Sequence, residues 1–112
     1  MKKLLLAAVV LTSLILAGCG TTKIGRILND PMRYANRNVR VEGTVTNVVG
    51  AFVAGVYQVQ DDTGKIYVLS TGRGTPGKGV RIRVDGNVTQ GVNVMGRSFG
   101  TTIRETNHKV RY

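Results

Sequence analysis

Residues 39–45, Val39-Arg40-Val41-Glu42-Gly43-Thr44-Val45, decide the fold, because apolar residues or glycine alternate there with polar residues. Successive side chains of a β-strand point to opposite faces, so this alternation predicts a strand with one buried face and one solvated face. The same period returns in residues 80–88, Val80-Arg81-Ile82-Arg83-Val84-Asp85-Gly86-Asn87-Val88. The chain is therefore expected to be mostly β-structure, and Gly43 and Gly86 are expected to let these two strands bend.

Two more strands are predicted on either side of a turn. Residues 55–60 and 65–70 have strand-like composition, and the sequence Asp61-Asp62-Thr63-Gly64 separates them. A tight hairpin requires a positive φ, which glycine adopts without strain, so Gly64 is expected to have one. The two segments are therefore predicted to pair as a hairpin.

The remaining β-structure is predicted near the C-terminus. A last strand over residues 98–105 is expected to bury Phe99, Thr101 and Ile103. Residues 47–54 are expected to form the loop between the first two strands, with Phe52 at its apolar tip.

A short helical segment is expected to precede the first strand. Ile24, Ile27 and Leu28 have helical spacing, and Asp30-Pro31 supplies an N-cap residue followed by proline at the first helical position. Two short helical turns are predicted, ending near Asn36.

Five strands with little helix predict an all-β fold, a small closed barrel, since closure removes open strand edges. Residues 39–45, 57–68 and 79–88 resemble OB-fold domains of the tRNA-anticodon or single-strand-binding type. Residues 24–37 resemble the lead-in of small exported OB-fold proteins. The resemblance implies one OB-fold-like domain over residues 24–112.

OB folds bind ligands on the outer face of their second and third strands. Strand parity places four polar or aromatic residues there, and Arg40 stands on the adjoining strand. The candidate ligand-binding residues are therefore Arg40, Gln58, Gln60, Lys65 and Tyr67. Tyr67 could stack on a base or a sugar ring, while Arg40 and Lys65 could neutralise phosphate or carboxylate. The alternative is that Tyr67 and the neighbouring Leu69 lie beneath a loop or the helical segment as minor core.

The N-terminus is expected to carry a targeting signal. Lys2 and Lys3 precede an apolar run that is too short to span a bilayer stably, which predicts a signal peptide over residues 1–18. The run ends in Leu16-Ala17-Gly18-Cys19, which resembles the lipobox of bacterial lipoproteins. That resemblance implies cleavage between Gly18 and Cys19 and a covalent lipid on Cys19, followed by a tether over residues 19–23.

The expected location follows from the same resemblance. It implies a bacterial envelope protein anchored to a membrane. Gly20 stands where an aspartate would favour retention in the inner membrane, so the resemblance implies the outer membrane, facing the periplasm. Cleavage would leave 94 of the 112 residues, enough for one small domain.

The chain is strongly basic, with 16 lysines and arginines against 6 acidic residues and a net charge of +10. Without Lys2 and Lys3 the excess is 8. Such a charge favours anionic partners. The basic residues run from Lys23 to Arg111 without clustering in the sequence, so a purely solubilising role near a membrane is also open.

No catalytic or metal-binding pattern is present in the sequence. His108 is the single histidine, is expected in a surface tail, and has no neighbouring serine or acid that would form a relay. Asp61 and Asp62 are adjacent and are interpreted as turn residues. We expect no enzyme activity, no metal, and no cofactor apart from the lipid on Cys19.

Together these features predict a lipid-anchored OB-fold binding module. Its expected partner is an anionic envelope component, such as a glycan or a lipid head group, or an envelope protein. One alternative is single-stranded nucleic acid. Another is an accessory subunit that stabilises an envelope assembly and binds no small ligand; the oligomeric state is left open.

Overall fold

The computed structural model describes residues 20–51, 54–71, 74–94 and 96–111. The expected signal peptide, Gly18, Cys19 and Phe52 lie outside the described residues. No helix within those ranges is long and apolar enough to cross a bilayer.

The described chain contains two short helices and seven strands. These are α1 Ile24–Asn29, α2 Pro31–Tyr34, β1 Asn38–Ala51, β2 Ala54–Gln60, β3 Lys65–Thr71, β4 Arg81–Thr89, β5 Asn93–Val94, β6 Arg97–Ser98 and β7 Thr102–Val110. The helical lead-in is confirmed in position. Asp30 occupies the N-cap position of α2, but its side chain makes no capping hydrogen bond, so that detail of the prediction was wrong.

Five strands close into a barrel in the order β1-β2-β3-β7-β4. Neighbouring strands are antiparallel except β3 and β7, which are parallel. This confirms the predicted all-β fold, a five-stranded barrel. Closure gives every barrel strand two neighbours, and β4 has only β1 and β7 beside it, so it lies across the barrel from β2 and β3.

The barrel interior is filled by the predicted apolar positions. Val41, Val84 and Ile103 are fully buried, as are Ile24 and Ile27 of α1, which join the same core cluster. Each such side chain contributes about 1.5–3 kcal/mol when removed from water. The core is built from residues 24–103, so a chain that begins at Gly20 contains all of it.

Strand β1 is longer than predicted and bends. Residues 47–51, expected in a loop, continue β1 and pair with β2, so the predicted loop over residues 47–54 was wrong at residues 47–51 and at Ala54, which begins β2. The register shifts between Val45 and Asn47, where Thr46 is an extra residue. Such a bulge bends a strand, which lets β1 pair with β4 along its first half and with β2 along its second.

Gly43 and Gly86 are required by close contact between strands. A Cβ atom on Gly43 would lie well inside 3.0 Å of the Gln60 carbonyl, and one on Gly86 would do the same at the Arg104 carbonyl. Both glycines are buried on the inner face of the barrel. These glycines therefore serve the barrel by letting a neighbouring backbone carbonyl approach where a side chain would otherwise stand.

The turn between β2 and β3 differs from the prediction. Gly64 does not have a positive φ. Instead, one oxygen of Asp61 accepts hydrogen bonds from the backbone N–H groups of Thr63 and Gly64, at 2.7 and 3.1 Å. A side chain added at Gly64 would approach Leu28 of α1 to 3.3 Å, so glycine here leaves room for α1 to pack.

The last barrel strand begins later than predicted and runs further. Phe99 and Ile103 are buried as expected, but Thr101 is only half-buried, and Thr102 is fully buried instead. Before β7, strands β5 and β6 pair as a short separate hairpin. Periodicity could not reveal strands of two residues each.

Candidate functional site

The outer face of β2 and β3 brings together four of the predicted ligand-binding residues. Gln58 lies directly opposite Tyr67, and Gln60 lies directly opposite Lys65. Gln60 and Lys65 are exposed, whereas Gln58 and Tyr67 are half-buried. The Gln58 side-chain oxygen is 3.0 Å from the hydroxyl of Thr46, which donates a hydrogen bond to it.

The hairpin of β5 and β6 covers one end of this face. Val92 and Phe99, on either side of the hairpin, pack with Val56 and Leu69 in a second apolar cluster. Leu69 is only 7% exposed, so its interpretation as minor core beneath a loop is confirmed. Tyr67 packs against this cluster, and its ring meets the Phe99 ring edge-on, with centroids 4.9 Å apart at an angle of 64°.

The hairpin also brings a cation that the sequence did not assign to this face. The guanidinium of Arg97 lies over the Phe99 ring, 5.2 Å from its centroid, in cation–π geometry. Lys65 stands at the turn end of the same strand face and Arg97 at the hairpin end. We define the ligand face as Gln58, Gln60, Lys65, Tyr67 and Arg97. The available sequence signal for this hairpin was its three closely spaced glycines, Gly91, Gly96 and Gly100, all of which have a positive φ in the structure.

Arg40, the fifth predicted residue, lies elsewhere. The pairing of β1 with β2 begins at Thr44, so Arg40 stands beyond it and pairs with β4. Its guanidinium donates hydrogen bonds to both carboxylate oxygens of Asp85, at 2.6 and 3.4 Å. This hydrogen bond and the charge of Asp85 raise the pKa of Arg40. The structure therefore does not bring Arg40 together with the other four residues.

The outer surface of β1, β4 and β7 gathers basic residues that are far apart in the sequence. Cross-strand pairing aligns Glu42, Arg83 and Lys109 in one row, and Arg81 stands in the next row. The outward-facing cations of these strands and the adjoining Arg111 are Arg40, Arg81, Arg83, Arg104, Lys109 and Arg111, which we call the basic face. Two acids, Glu42 and Asp85, lie among them. The strand order thus brings these basic residues together, although they do not cluster in the sequence.

A buried carboxylate lies at the centre of a polar cluster inside the barrel. The Glu105 side chain is fully buried and accepts a hydrogen bond from the hydroxyl of Tyr57. The Ser70 hydroxyl lies 3.2 Å from the second carboxylate oxygen and donates to the Gly74 carbonyl at 2.7 Å. Nδ1 of His108 is 2.5 Å from Glu105 Oε1. The pKa of Tyr57 is raised, mainly by burial of its hydroxyl and to a lesser extent by the hydrogen bond to Glu105.

The expectation for His108 was wrong. It lies in β7 with its side chain only 18% exposed, and the acid beside it is Glu105. The register between β4 and β7 shifts at Thr106: Glu105 and Asn107 lie opposite Gly86 and Asp85, and no residue of β4 lies opposite Thr106. That extra residue puts Glu105 and His108 on the same face. Because the serine and the histidine both converge on the carboxylate, this cluster differs from a nucleophile–base relay.

The turn acids hold the helical segment to the barrel. Asp61 accepts a hydrogen bond from the backbone N–H of Ile24 at 2.9 Å, and Asp62 forms an exposed ion pair with Lys23 at 2.9 Å. Burial tends to raise the pKa of Asp61, but the hydrogen bonds from Ile24, Thr63 and Gly64 outweigh it and lower the pKa. Within the part of the chain that the structure describes, no group of three acidic or histidine side chains is arranged to hold a metal.

Comparison with known proteins supports the fold. No protein-family model matches the chain, and no curated protein matches it. Among solved structures it is similar to the crystal structure of asparaginyl-tRNA synthetase from Pyrococcus horikoshii, with a TM-score of 0.57 and 17% identity over 70% of this chain. The chain spans only 20% of the length of that synthetase. Likeness at this identity shows the fold alone, and together with the closed strand order it identifies the domain as an OB fold.

Proposed function

We propose that this chain is a lipid-anchored protein of the bacterial envelope whose OB barrel binds an anionic envelope component. The ligand face carries the proposal, because it places Lys65 and Arg97 at the two ends of a strip of amides beside Tyr67. Cations neutralise phosphate or carboxylate, and side-chain amides bond to hydroxyl groups. An acidic glycan or a phosphorylated head group has both kinds of group.

The lipid anchor is a separate part of the proposal and rests on Leu16-Ala17-Gly18-Cys19. Cys19 is the single cysteine of the chain, so it has no internal disulfide partner, and lipidation accounts for it. We expect the N-terminal peptide of the mature protein to begin at Cys19 and to carry the mass of covalent lipid. The native protein should partition into the detergent phase of a cloud-point extraction, and the Cys19→Ser variant should not. An unmodified Cys19 peptide would contradict the anchor.

The ligand is identified by amide NMR titration of a chain that begins at Gly20. Muropeptides, phosphorylated head groups and a single-stranded oligonucleotide are added in turn at physiological salt. We expect saturable shifts confined to Gln58, Lys65, Tyr67 and Arg97 with one of them. Lys65→Gln should weaken that binding about tenfold, since a hydrogen bond to a charged group is lost.

Lys78→Gln is the matched control for this experiment, because it removes the same charge from an exposed loop residue. It should leave the affinity nearly unchanged. Absence of localised shifts with every ligand would overturn the ligand face and favour the accessory role in an envelope assembly, which no small ligand would reveal.

Single-stranded nucleic acid is the second candidate. It is favoured by the fold, which the chain shares with part of an asparaginyl-tRNA synthetase, and by the aromatic ring of Tyr67. The Phe99 ring packs edge-on against Tyr67 and half-buries it, which reduces the ring surface open for stacking on a base. We place this candidate second for that reason.

A further inference from the structure

We propose that the basic face lies against the anionic lipid head groups of the membrane to which the chain is anchored. This inference rests on the proposed lipidation of Cys19 and assigns a role to a surface that the ligand face does not use. The basic face then holds the barrel in one orientation on the bilayer.

The first argument is the position of the tether. The backbone N–H of Thr22 donates a hydrogen bond to the carbonyl of Arg40 at 2.7 Å, which holds the tether beside the first strand. Gly20 and Thr22 line a groove of about 430 Å³ that reaches across the barrel surface to Asp85 and Thr106. The chain therefore enters the domain over the basic face. Consecutive Cα atoms are about 3.8 Å apart, so a lipid on residue 19 would be attached next to this surface.

The second argument is charge. The basic face carries six cations and two acids, and the acids are engaged: Asp85 by Arg40 at 2.6 Å, and Glu42 by Arg111 at 4.0 Å. Arg81, Arg83, Arg104 and Lys109 remain as an excess of positive charge. Asp62, near one end of this surface, is paired with Lys23. A polybasic surface beside a lipid anchor strengthens membrane attachment, because each basic residue near an anionic bilayer adds to the affinity.

The third argument is topology. Strand β4 carries Arg81 and Arg83 and lies across the closed barrel from β2 and β3. A barrel that rests on its basic face therefore presents Gln58 and Tyr67, on the ligand face, away from the bilayer. Anchoring and ligand binding can then occur together.

A rival surface is the helical segment. It exposes Met32 to 81% and Leu28 to 38%, and it carries Arg26 and Arg33, with the exposed Arg37 directly after it. It also contains Asp30, and its excess of positive charge is smaller than that of the basic face. We therefore assign the membrane contact to the basic face and use the helical segment as the comparison in the test.

The test measures binding of the chain that begins at Gly20 to vesicles with and without about 30% phosphatidylglycerol in phosphatidylcholine. The triple variant Arg81→Gln, Arg83→Gln, Lys109→Gln should lower partition onto the anionic vesicles about 100-fold. The matched triple variant Arg26→Gln, Arg33→Gln, Arg37→Gln removes the same charge and should lower it far less. Equal losses, or a larger loss in the second variant, would overturn the proposal.

Orientation is measured separately with the chain coupled to a maleimide lipid in nanodiscs through Cys19, its single cysteine. A paramagnetic chelate on the lipid head groups should broaden the amide signals of Arg83 and Lys109 and spare those of Gln58 and Tyr67. Broadening of the ligand face instead, or uniform broadening, would overturn the proposal. Because the lipid is attached chemically, this result does not depend on lipidation in cells, which the mass of the native N-terminal peptide decides.

Discussion

At the scale of single residues, Asp61 joins two parts of the molecule through its two oxygens. One accepts from Thr63 and Gly64 within the turn, and the other accepts from Ile24 of α1. Asparagine keeps one acceptor oxygen but has an NH2 group in place of the other. That NH2 group is a donor and would face a backbone N–H, which is also a donor. We expect Asp61→Asn to lower the free energy of unfolding by about 1 kcal/mol at pH 7, at the low end because the carboxylate is partly solvated.

The same substitution should show a defined pH dependence. The folded-state pKa of Asp61 is lowered, so its contribution is present above the ordinary value of 3.8 and is lost as pH falls through the lower folded value. The difference between wild type and Asp61→Asn in urea unfolding should therefore narrow below pH 4. Asp62→Asn, which breaks only an exposed ion pair, should unfold like the wild type. A difference that stays constant from pH 7 to pH 3 would contradict this account.

Tyr57 provides the corresponding test at high pH. Tyr57→Phe removes a donor from the buried Glu105 carboxylate and should cost about 1–3 kcal/mol at pH 8. Burial and this hydrogen bond raise the folded pKa of Tyr57 above its ordinary 10.0, so its contribution to stability is lost as pH rises above 10. The gap between wild type and variant in urea unfolding should shrink by about 1.4 kcal/mol at pH 11. An unchanged gap at pH 11 would show that Tyr57 ionises equally in both states.

At the scale of elements, Gly86 allows β4 and β7 to approach where the register shifts. A methyl group there would press on the Arg104 carbonyl, which is backbone and cannot move alone. We expect Gly86→Ala to lower the free energy of unfolding by about 3 kcal/mol. Gly77→Ala, where the new Cβ meets Val80 at an ordinary 3.7 Å, should change it by less than about 0.5 kcal/mol. Similar values for the two variants in urea unfolding would refute the close-contact argument.

The hairpin of β5 and β6 is an element held to the barrel by a small apolar cluster. Phe99→Ala should remove its main contact with Leu69 and Tyr67 and cost the hairpin about 2–3 kcal/mol of local stability. Hydrogen exchange at the Phe99 amide should then accelerate by two orders of magnitude or so, while the amide of Val84 in β4 keeps its protection. Equal loss of protection at both amides would show that the hairpin and the barrel unfold together.

The elements that could be predicted were the strands in which apolar and polar residues alternate over many positions. Residues 39–45 and 80–88 alternate over seven or more positions, so strands, inner faces and the closed barrel followed from them. The β5–β6 hairpin could not be predicted, because strands of two residues have no period. His108 was misplaced in a surface tail because the last strand was predicted to end at Glu105, whereas β7 runs to Val110. The extra residue at Thr106 then turns His108 toward the face that Glu105 occupies.

At the scale of the whole molecule, the position of charge depends on topology more than on sequence order. Arg40 and Arg104 are 64 residues apart in the sequence, and the strand order β1-β4-β7 places them on one surface. The alternation of Arg81 and Arg83 showed that both face water, but only the pairing shows that Lys109 and Arg111 stand beside them. The ligand face was predicted in four of its residues because all four belong to one hairpin of adjacent strands.

The net charge of the molecule makes some binding to any polyanion expected, so the nucleic-acid candidate must be tested by its salt dependence. On single strands the logarithm of the binding constant falls with that of the salt concentration by about 0.7 per phosphate neutralised. Contact through Lys65 and Arg97 alone predicts a slope of about −1.4, whereas contact through the four uncompensated cations of the basic face predicts about −2.8. In the first case Lys65→Gln should reduce the slope to about −0.7, and in the second it should leave the slope unchanged. Fluorescence anisotropy with a labelled oligonucleotide across a salt series therefore distinguishes recognition by the ligand face from non-specific attraction to the surface that we assign to the membrane.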